Sequence, residues 1–455
     1  MRQSNYVLAL VAAAVLAGCG DSGSGPASTL LSKAQKPVFA RQVVFGDSLA
    51  DVGSYKVGPI AAAGGGKFTV NGVVAGKPEL DGRTWSEWLA ATMGMSAPCA
   101  AQTGLNGQGM FAVPVQNHLN CYNYAQGGAR VTNPVGPGNA LTGDPTGALT
   151  VPVVTQVATH LARNGGKFGG NEVVYVMAGG NDLLMLMGQL AAAATAAGTS
   201  AGQTAFGQSL VTQLAAGAPN PQSAAVAIAT AMQTERARPG STDQTVVGAA
   251  VTAAVMAGNT AAGSPAVYGP MVATATAAGQ AAGAKAGQDY LTANGPNNVP
   301  AMGAAGAELA NIINTQILGK GAKYVVVNNL PDVSVSPSAR SQSASAQQLI
   351  KGMATSFNTA LRANLPDDAR VLYVDLFALS NDQFANPSKY GLTNTTAVAC
   401  GPNAGGTSSL MCNGTNLVAG DVSRYMFADS VHPTPYEHSL VARYIADQMF
   451  TKGWL

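Results

Sequence analysis

Ser48 stands at the end of a short apolar run, Val43-Val44-Phe45-Gly46-Asp47-Ser48-Leu49. That pattern predicts a buried strand delivering a serine to the edge of a sheet, with Gly46 letting the chain turn sharply. A serine hydroxyl is a weak nucleophile. It needs a base, an acid to orient that base, and donors for the oxyanion it creates. The base must come from four histidines, His118, His160, His432 and His438. His160 lies within an amphipathic helical stretch and reads as structural. His438 lies inside the last predicted helix, in a packed or solvated role. His118 lies in a polar loop with no evident partner. His432 precedes a helix and follows Asp429 by three residues, a spacing that lets the carboxylate fold back on the ring and fix its tautomer. Taken alone, an Asp-x-x-His pair is common.

These residues need elements to position them. Arg41–Phe45, Glu172–Met177, Lys323–Val327 and Arg370–Val374 read as strands, each an apolar run ending at polar or glycine residues. Helices are expected after the N-cap Thr84, over 151–163, 304–318 and 343–365, and from Thr434 onward. Thr84 with Glu87, and Thr434 with Glu437, fit capping boxes. Strands alternating with helices predict a parallel sheet covered on both faces, with sites at the carboxyl ends of the strands. Ser48, Gly128, Asn181 and Asp332 all follow apolar runs in this way. Residues 187–303, rich in Ala, Gly and Thr, interrupt the pattern. They read as several helices joined by turns such as Pro219-Asn220-Pro221 and Arg238-Pro239-Gly240, forming a cap or spacer, with partial disorder as the alternative. Within them Gly198-Thr199-Ser200-Ala201-Gly202 matches a Gly-x-Ser-x-Gly nucleophile elbow, but without the strand that motif requires.

The 455 residues suffice for one large domain with insertions or for two domains. Hydrophobic residues make up 47% and charged residues 10%, so a large core is expected. The net charge of +2, with no basic stripe, argues against a nucleic-acid partner. Residues 1–19 read as an export signal, with Arg2 before a short apolar core. Leu16-Ala17-Gly18-Cys19 resembles a bacterial lipobox, in which Cys19 would be lipidated; an ordinary signal peptide is the alternative. Residues 20–36 would then be a flexible tether. The other four cysteines, Cys99, Cys121, Cys400 and Cys412, suggest disulfides in an exported chain. Nearest-neighbour pairing gives Cys99–Cys121 and Cys400–Cys412, although spacing alone leaves connectivity open. The spacings fit no zinc pattern.

Four blocks together resemble the GDSL or SGNH hydrolase superfamily, in particular bacterial exported GDSL lipases and esterases. They are Gly46-Asp47-Ser48-Leu49, Asn123-Tyr124-Ala125-Gln126-Gly127-Gly128-Ala129, Gly179-Gly180-Asn181-Asp182 and Asp429-Ser430-Val431-His432. Asp51, Gly53 and Asp81-Gly82-Arg83-Thr84-Trp85 are also similar to that group. The resemblance covers roughly residues 40–185 and 304–455. It implies a three-layer α/β/α flavodoxin-like fold over 37–455 and an acyl-enzyme mechanism without metal or organic cofactor. Ser48 would be the nucleophile, His432 the base and Asp429 its orienting acid. The oxyanion hole would be the Ser48 and Gly128 N–H groups and the Asn181 amide, with Gly127 leaving the glycine register open by one. Asp47 and Asp182 read as structural.

The function so implied is a carboxylic ester hydrolase, a lipase or esterase held at the bacterial outer membrane by its lipid and facing the periplasm or the cell surface. A carbohydrate acetylesterase, an acyltransferase and a non-catalytic glycan- or lipid-binding lipoprotein are the alternatives. Met185, Met187, Met232, Met256 and Met271 would let the insertion cap an acyl pocket, or would simply pack its helices.

Overall fold

The computed structural model describes residues 36–455. The export signal, Cys19 and almost all of the tether lie outside the described residues. In chain order the elements begin with β1 (Arg41–Gly46), α1 (Gly58–Ala62), α2 (Trp85–Thr92), β2 (Gln102–Asn106) and β3 (Ala112–Asn117). Next come α3 (Val153–Arg163), β4 (Glu172–Met177), α4 (Gly180–Ala216), α5 (Pro221–Arg236), α6 (Asp243–Met256) and α7 (Pro265–Asn294). The rest are α8 (Asn298–Ile312), β5 (Tyr324–Asn328), α9 (Pro337–Arg340), α10 (Ala344–Asn364), β6 (Val371–Val374), α11 (Leu376–Ala385), β7 (Asn394–Val398), β8 (Tyr425–Phe427) and α12 (Pro435–Thr451).

The central sheet is parallel, in the order β1-β4-β5-β6. Residues 122–124 extend it beyond β1: Val44 N donates to Tyr122 O at 3.0 Å, and Tyr124 N donates to Val44 O at 2.8 Å. Counting that segment, the strand order is the 2-1-3-4-5 of a flavodoxin-like doubly wound sheet.

Both faces are buried, so alternate residues of each strand enter different cores. Val43, Phe45, Val174, Val176, Val325 and Val327 pack with α3, α8 and α10. Val44, Val173, Tyr175, Met177, Val326 and Val374 pack with α2, α11 and α12. The result is a three-layer α/β/α sandwich. Phe357 of α10 is fully buried in the first core, and such a side chain contributes roughly 1.5–3 kcal/mol. The Thr84–Glu87 capping box forms at α2, with Thr84 N donating to Glu87 Oε2 at 2.7 Å.

Gly46 differs from expectation in its reason. Its φ is not in the left-handed region. Instead, a Cβ there would lie 2.4 Å from the carbonyl oxygen of Met177 on the neighbouring strand. Only glycine fits that strand contact, and the turn follows one residue later.

The insertion is helical. α4 runs unbroken for 37 residues from the sheet edge and lies along α7. Glycines set the spacing: a Cβ on Gly198 would meet Gly283 O at 2.8 Å, and one on Gly202 would meet Gly279 O at 3.0 Å. The glycines that weaken these helices individually are what let the two backbones approach. Beyond this contact, Leu210, Leu214, Ile228, Met232, Val246 and Ala275 close a small core of their own among α4 to α7. Ser200 is exposed in mid-helix with no strand before it, so the Gly-x-Ser-x-Gly match is a packing motif.

Two disulfides are present, Cys99–Cys121 and Cys400–Cys412, with Cα separations of 5.0 and 6.0 Å.

Candidate active site

The carboxyl ends of β1 and β4 and the 429–432 loop meet at one place. Ser48 lies in the turn after β1. That turn is held by Asp47, whose carbonyl accepts from Ala50 N at 3.1 Å and whose Oδ1 accepts from Leu49 N at 3.1 Å. Gln156 of α3 clamps the strand end, donating from Nε2 to Gly46 O at 2.8 Å and accepting from Gly46 N at 2.9 Å. His432 Nε2 lies 3.0 Å from Ser48 Oγ. Its Nδ1 lies 2.9 and 2.8 Å from the two carboxylate oxygens of Asp429.

Asp429 is 4% exposed and heavily solvated by the protein. Oδ1 accepts from Val431 N at 3.0 Å and His432 N at 2.8 Å, and Oδ2 accepts from Ser409 N at 2.7 Å. Burial alone would raise its pKa. The facing His432 and these hydrogen bonds outweigh burial and hold the carboxyl well below the usual range. An ionised Asp429 accepts the Nδ1 proton, which leaves Nε2 with a lone pair toward Ser48. The Phe68 ring packs against His432 with centroids 4.9 Å apart.

Asn181 lines the cavity beside Ser48, and the glycine block is bonded to it through Ala129. Gly128 has φ +78°, and a Cβ there would lie 2.3 Å from Pro137 O. Gly127 N is engaged, donating to Asp51 Oδ2 at 3.0 Å, whereas among the described residues Gly128 N has no acceptor. That difference favours Gly128 in the glycine register. Asn181 is buried at the start of α4, and its Nδ2 donates one hydrogen to Ala129 O at 2.8 Å. The second amide hydrogen remains for another acceptor. Asp182 holds Arg130 Nε at 2.9 Å and Val131 N at 3.0 Å, tying the glycine block to α4. Asp47 is pushed up to about 7, chiefly by burial.

The remaining histidines lie elsewhere in the fold or in other roles. His118 pairs with Thr103 Oγ1 at 2.9 Å. His160 is packed between Phe45 and Phe168, and burial pushes its pKa down to about 4. His438 is buried, with Nδ1 accepting from Trp85 N at 3.3 Å.

Beside Ser48 opens a cavity of about 130 Å³. Leu330, Val335, Leu379 and Phe427 give it apolar walls. No residue of 187–303 lines it, so the insertion does not cap this cavity. Met232 and Met271 pack in the insertion's own core, and Met256 is 83% exposed. Glu437 also differs from expectation. Thr434 Oγ1 accepts from Glu437 N at 3.2 Å, but the reciprocal arm of a capping box is absent. The Glu437 carboxyl is buried on the cavity instead. Sequence reasoning missed Ser409, Gln156, Phe68 and Gln383. Each reaches the site only through the fold and stands in no recognisable spacing to Ser48 or His432. Among the described residues, no cluster of three His, Cys, Asp or Glu side chains could hold a metal ion.

The sequence profile of the GDSL-like lipase/acylhydrolase family matches residues 274–445, which include Asp429 and His432 but not Ser48. The chain is similar to GDSL esterase/lipase APG of Arabidopsis thaliana, 28% identical over 147 residues, 30% of this chain and 42% of the relative. It is similar to Lipase 1 of Photorhabdus luminescens, 35% identical over 78 residues, 17% of this chain and 12% of the relative. An uncharacterized protein in the trpE-trpG intergenic region of Pseudomonas putida is 33% identical over 166 residues, 35% of this chain and 26% of the relative. Each alignment thus spans less than half of the relative's length. The family match and the parallel α/β/α fold support membership of the GDSL/SGNH hydrolase superfamily.

Proposed function

We propose that this chain is a serine carboxylic ester hydrolase working through an acyl-enzyme. The observation that carries the reading is the continuous hydrogen-bonded chain Ser48–His432–Asp429 beside an apolar cavity. His432 Nε2 takes the Ser48 proton as Oγ attacks the ester carbonyl carbon. The carbonyl oxygen becomes an oxyanion and receives hydrogen bonds from Ser48 N, Gly128 N and the free amide hydrogen of Asn181. The intermediate collapses, the C–O bond to the alcohol breaks, and His432 returns the proton to the departing alkoxide oxygen. Water then adds to the acyl-enzyme with His432 again as base. The second collapse frees the acid and returns the proton to Ser48 Oγ.

The cavity is close in size to the roughly 150 Å³ that holds a benzene ring, which supports acyl groups of short chain length. Anchoring to a bacterial membrane through an acylated Cys19 is part of this proposal and rests on the sequence Leu16–Cys19 alone. p-Nitrophenyl esters of increasing chain length test the reading, with Ser48→Ala as control. Turnover should peak at short acyl chains and fall by at least about 10³-fold in Ser48→Ala. Undiminished turnover in that variant would sink the assignment. No turnover of any ester by the parent would favour a binding protein.

A further inference from the structure

The cavity beside Ser48 has mostly apolar walls with polar side chains set among them. Glu437, Gln383 and His438 are among these, and they are 4%, 1% and 1% exposed. Among the described residues, Glu437 Oε2, Gln383 Nε2 and His438 Nε2 have no hydrogen-bond partner. The Gln383 amide stands beside the Glu437 carboxyl but not in hydrogen-bonding geometry. His438 Nδ1 accepts from Trp85 N, so the imidazole proton sits on Nε2. Trp85 Nε1 is likewise unpartnered on the cavity lining, as is Asp332 Oδ2 apart from its ion pair with Lys351 at 3.3 Å. Burying polar atoms without partners is unfavourable, and the set formed by Glu437, Gln383 and His438 calls for a ligand that satisfies it.

The chemistry of that ligand follows from the donors. Burial pushes Glu437 up to about 8, so near neutral pH it is a carboxylic acid that can both donate and accept. The amide and the imidazole N–H add donors. A hydroxyl group both donates and accepts and meets this set without net charge. An anion is disfavoured because it would lose its hydration in a buried, mostly apolar cavity, and a cation would require ionising a buried acid. In the ester-hydrolase reading, on which this inference rests, the alcohol leaves first and the acyl group stays bonded to Ser48 Oγ. We place that acyl group in the cavity that opens at Ser48.

We propose that Glu437, Gln383 and His438 form a subsite selecting short-chain esters that carry a hydroxyl group on the acyl chain. The test uses the full chain and ethyl 2-hydroxybutanoate, 3-hydroxybutanoate and 5-hydroxyhexanoate, each beside its unhydroxylated parent ester, with released acid titrated at pH 7. At least one hydroxylated ester should exceed its parent in kcat/KM by about tenfold or more. Glu437→Leu should bring that ratio near one, and Glu437→Gln, which keeps a donor and an acceptor, should retain most of it. If Glu437→Leu does not fold, Gln383→Leu and His438→Phe serve in its place. Ratios near one for every pair in the parent protein, or a preference that survives the apolar variants, would overturn the subsite. Turnover of plain ethyl butanoate separates the two readings. Turnover without hydroxyl preference overturns the subsite alone, and no turnover of any ester overturns the hydrolase reading and the subsite with it.

Discussion

Asp429→Asn tests the site through charge while changing its shape little. The parent carboxylate faces the His432 ring at 2.8 Å and is 4% exposed. During attack that ring becomes a cation. At an effective dielectric of about 20, two unit charges at this distance attract by roughly 6 kcal/mol. At 1.36 kcal/mol per decade, losing that attraction in the transition state corresponds to about 10⁴ in rate. The same order is known for the equivalent substitution in a serine protease triad. The Asn oxygen is expected at the Oδ1 position, where Val431 N, His432 N and the ring all donate. Its NH₂ then opposes Ser409 N, 2.7 Å away in the parent, and this donor clash should cost about 1–3 kcal/mol of stability. The assay is kcat on p-nitrophenyl butyrate together with urea unfolding of both proteins. A fall of about 10³ to 10⁴ in kcat, in a protein that stays folded, is expected. More than a tenth of parental kcat in a folded Asp429→Asn would refute the role given to the carboxylate.

Three further outcomes follow from the geometry. Gly128→Ala should lower kcat by at least about 10²-fold, because its Cβ meets Pro137 O at 2.3 Å and the N–H must move; steady-state kinetics with a circular dichroism check of folding reads this. Replacing residues 199–282 by a short Gly-Ser link between the touching Gly198 and Gly283 should leave ester turnover within about threefold, since the segment lines no part of the cavity; a large loss would show that the arm supports the site. Glu437→Gln should change the pH dependence of stability. Glu437 is raised from 4.5 to about 8 in the folded protein, so its contribution is present below pH 4.5 and is lost as pH rises toward 8. The variant's stability advantage in urea melts should therefore grow from pH 5 to pH 8, by on the order of 2–4 kcal/mol; a difference independent of pH would contradict a neutral buried acid.

Much of the fold was legible because its signals are local. The strands at 41–46, 172–177, 324–328 and 371–374 are apolar runs closed by glycine or polar residues, and burial on both faces of a parallel sheet makes such runs necessary. The hairpin of β2 and β3 was not legible, because Gly104 and Pro114 fall within it and mask any alternation. The role of Glu437 was misread for a different reason. A Thr three residues before a Glu satisfies the local rule for a capping box, yet the carboxyl is drawn into a cavity walled by β5, β6 and α11 neighbours that the local rule cannot see. Likewise the insertion's glycines read as helix weakeners until α7 is laid against α4.

By itself the sequence determined the residue types that can do chemistry, Ser48, Asp429 and His432, and the short-range spacing that lets Asp429 reach the His432 ring, because a three-residue separation is a local geometry. Only the tertiary structure decided that Ser48 lies within 3.0 Å of a histidine 384 residues later. It also decided that, among the described residues, Gly127 N is engaged while Gly128 N has no acceptor, that Ser409 steadies Asp429, and that Glu437 faces the cavity. Those relations depend on strand order and loop docking, where contacts form between residues far apart in the chain and no local propensity encodes the distance.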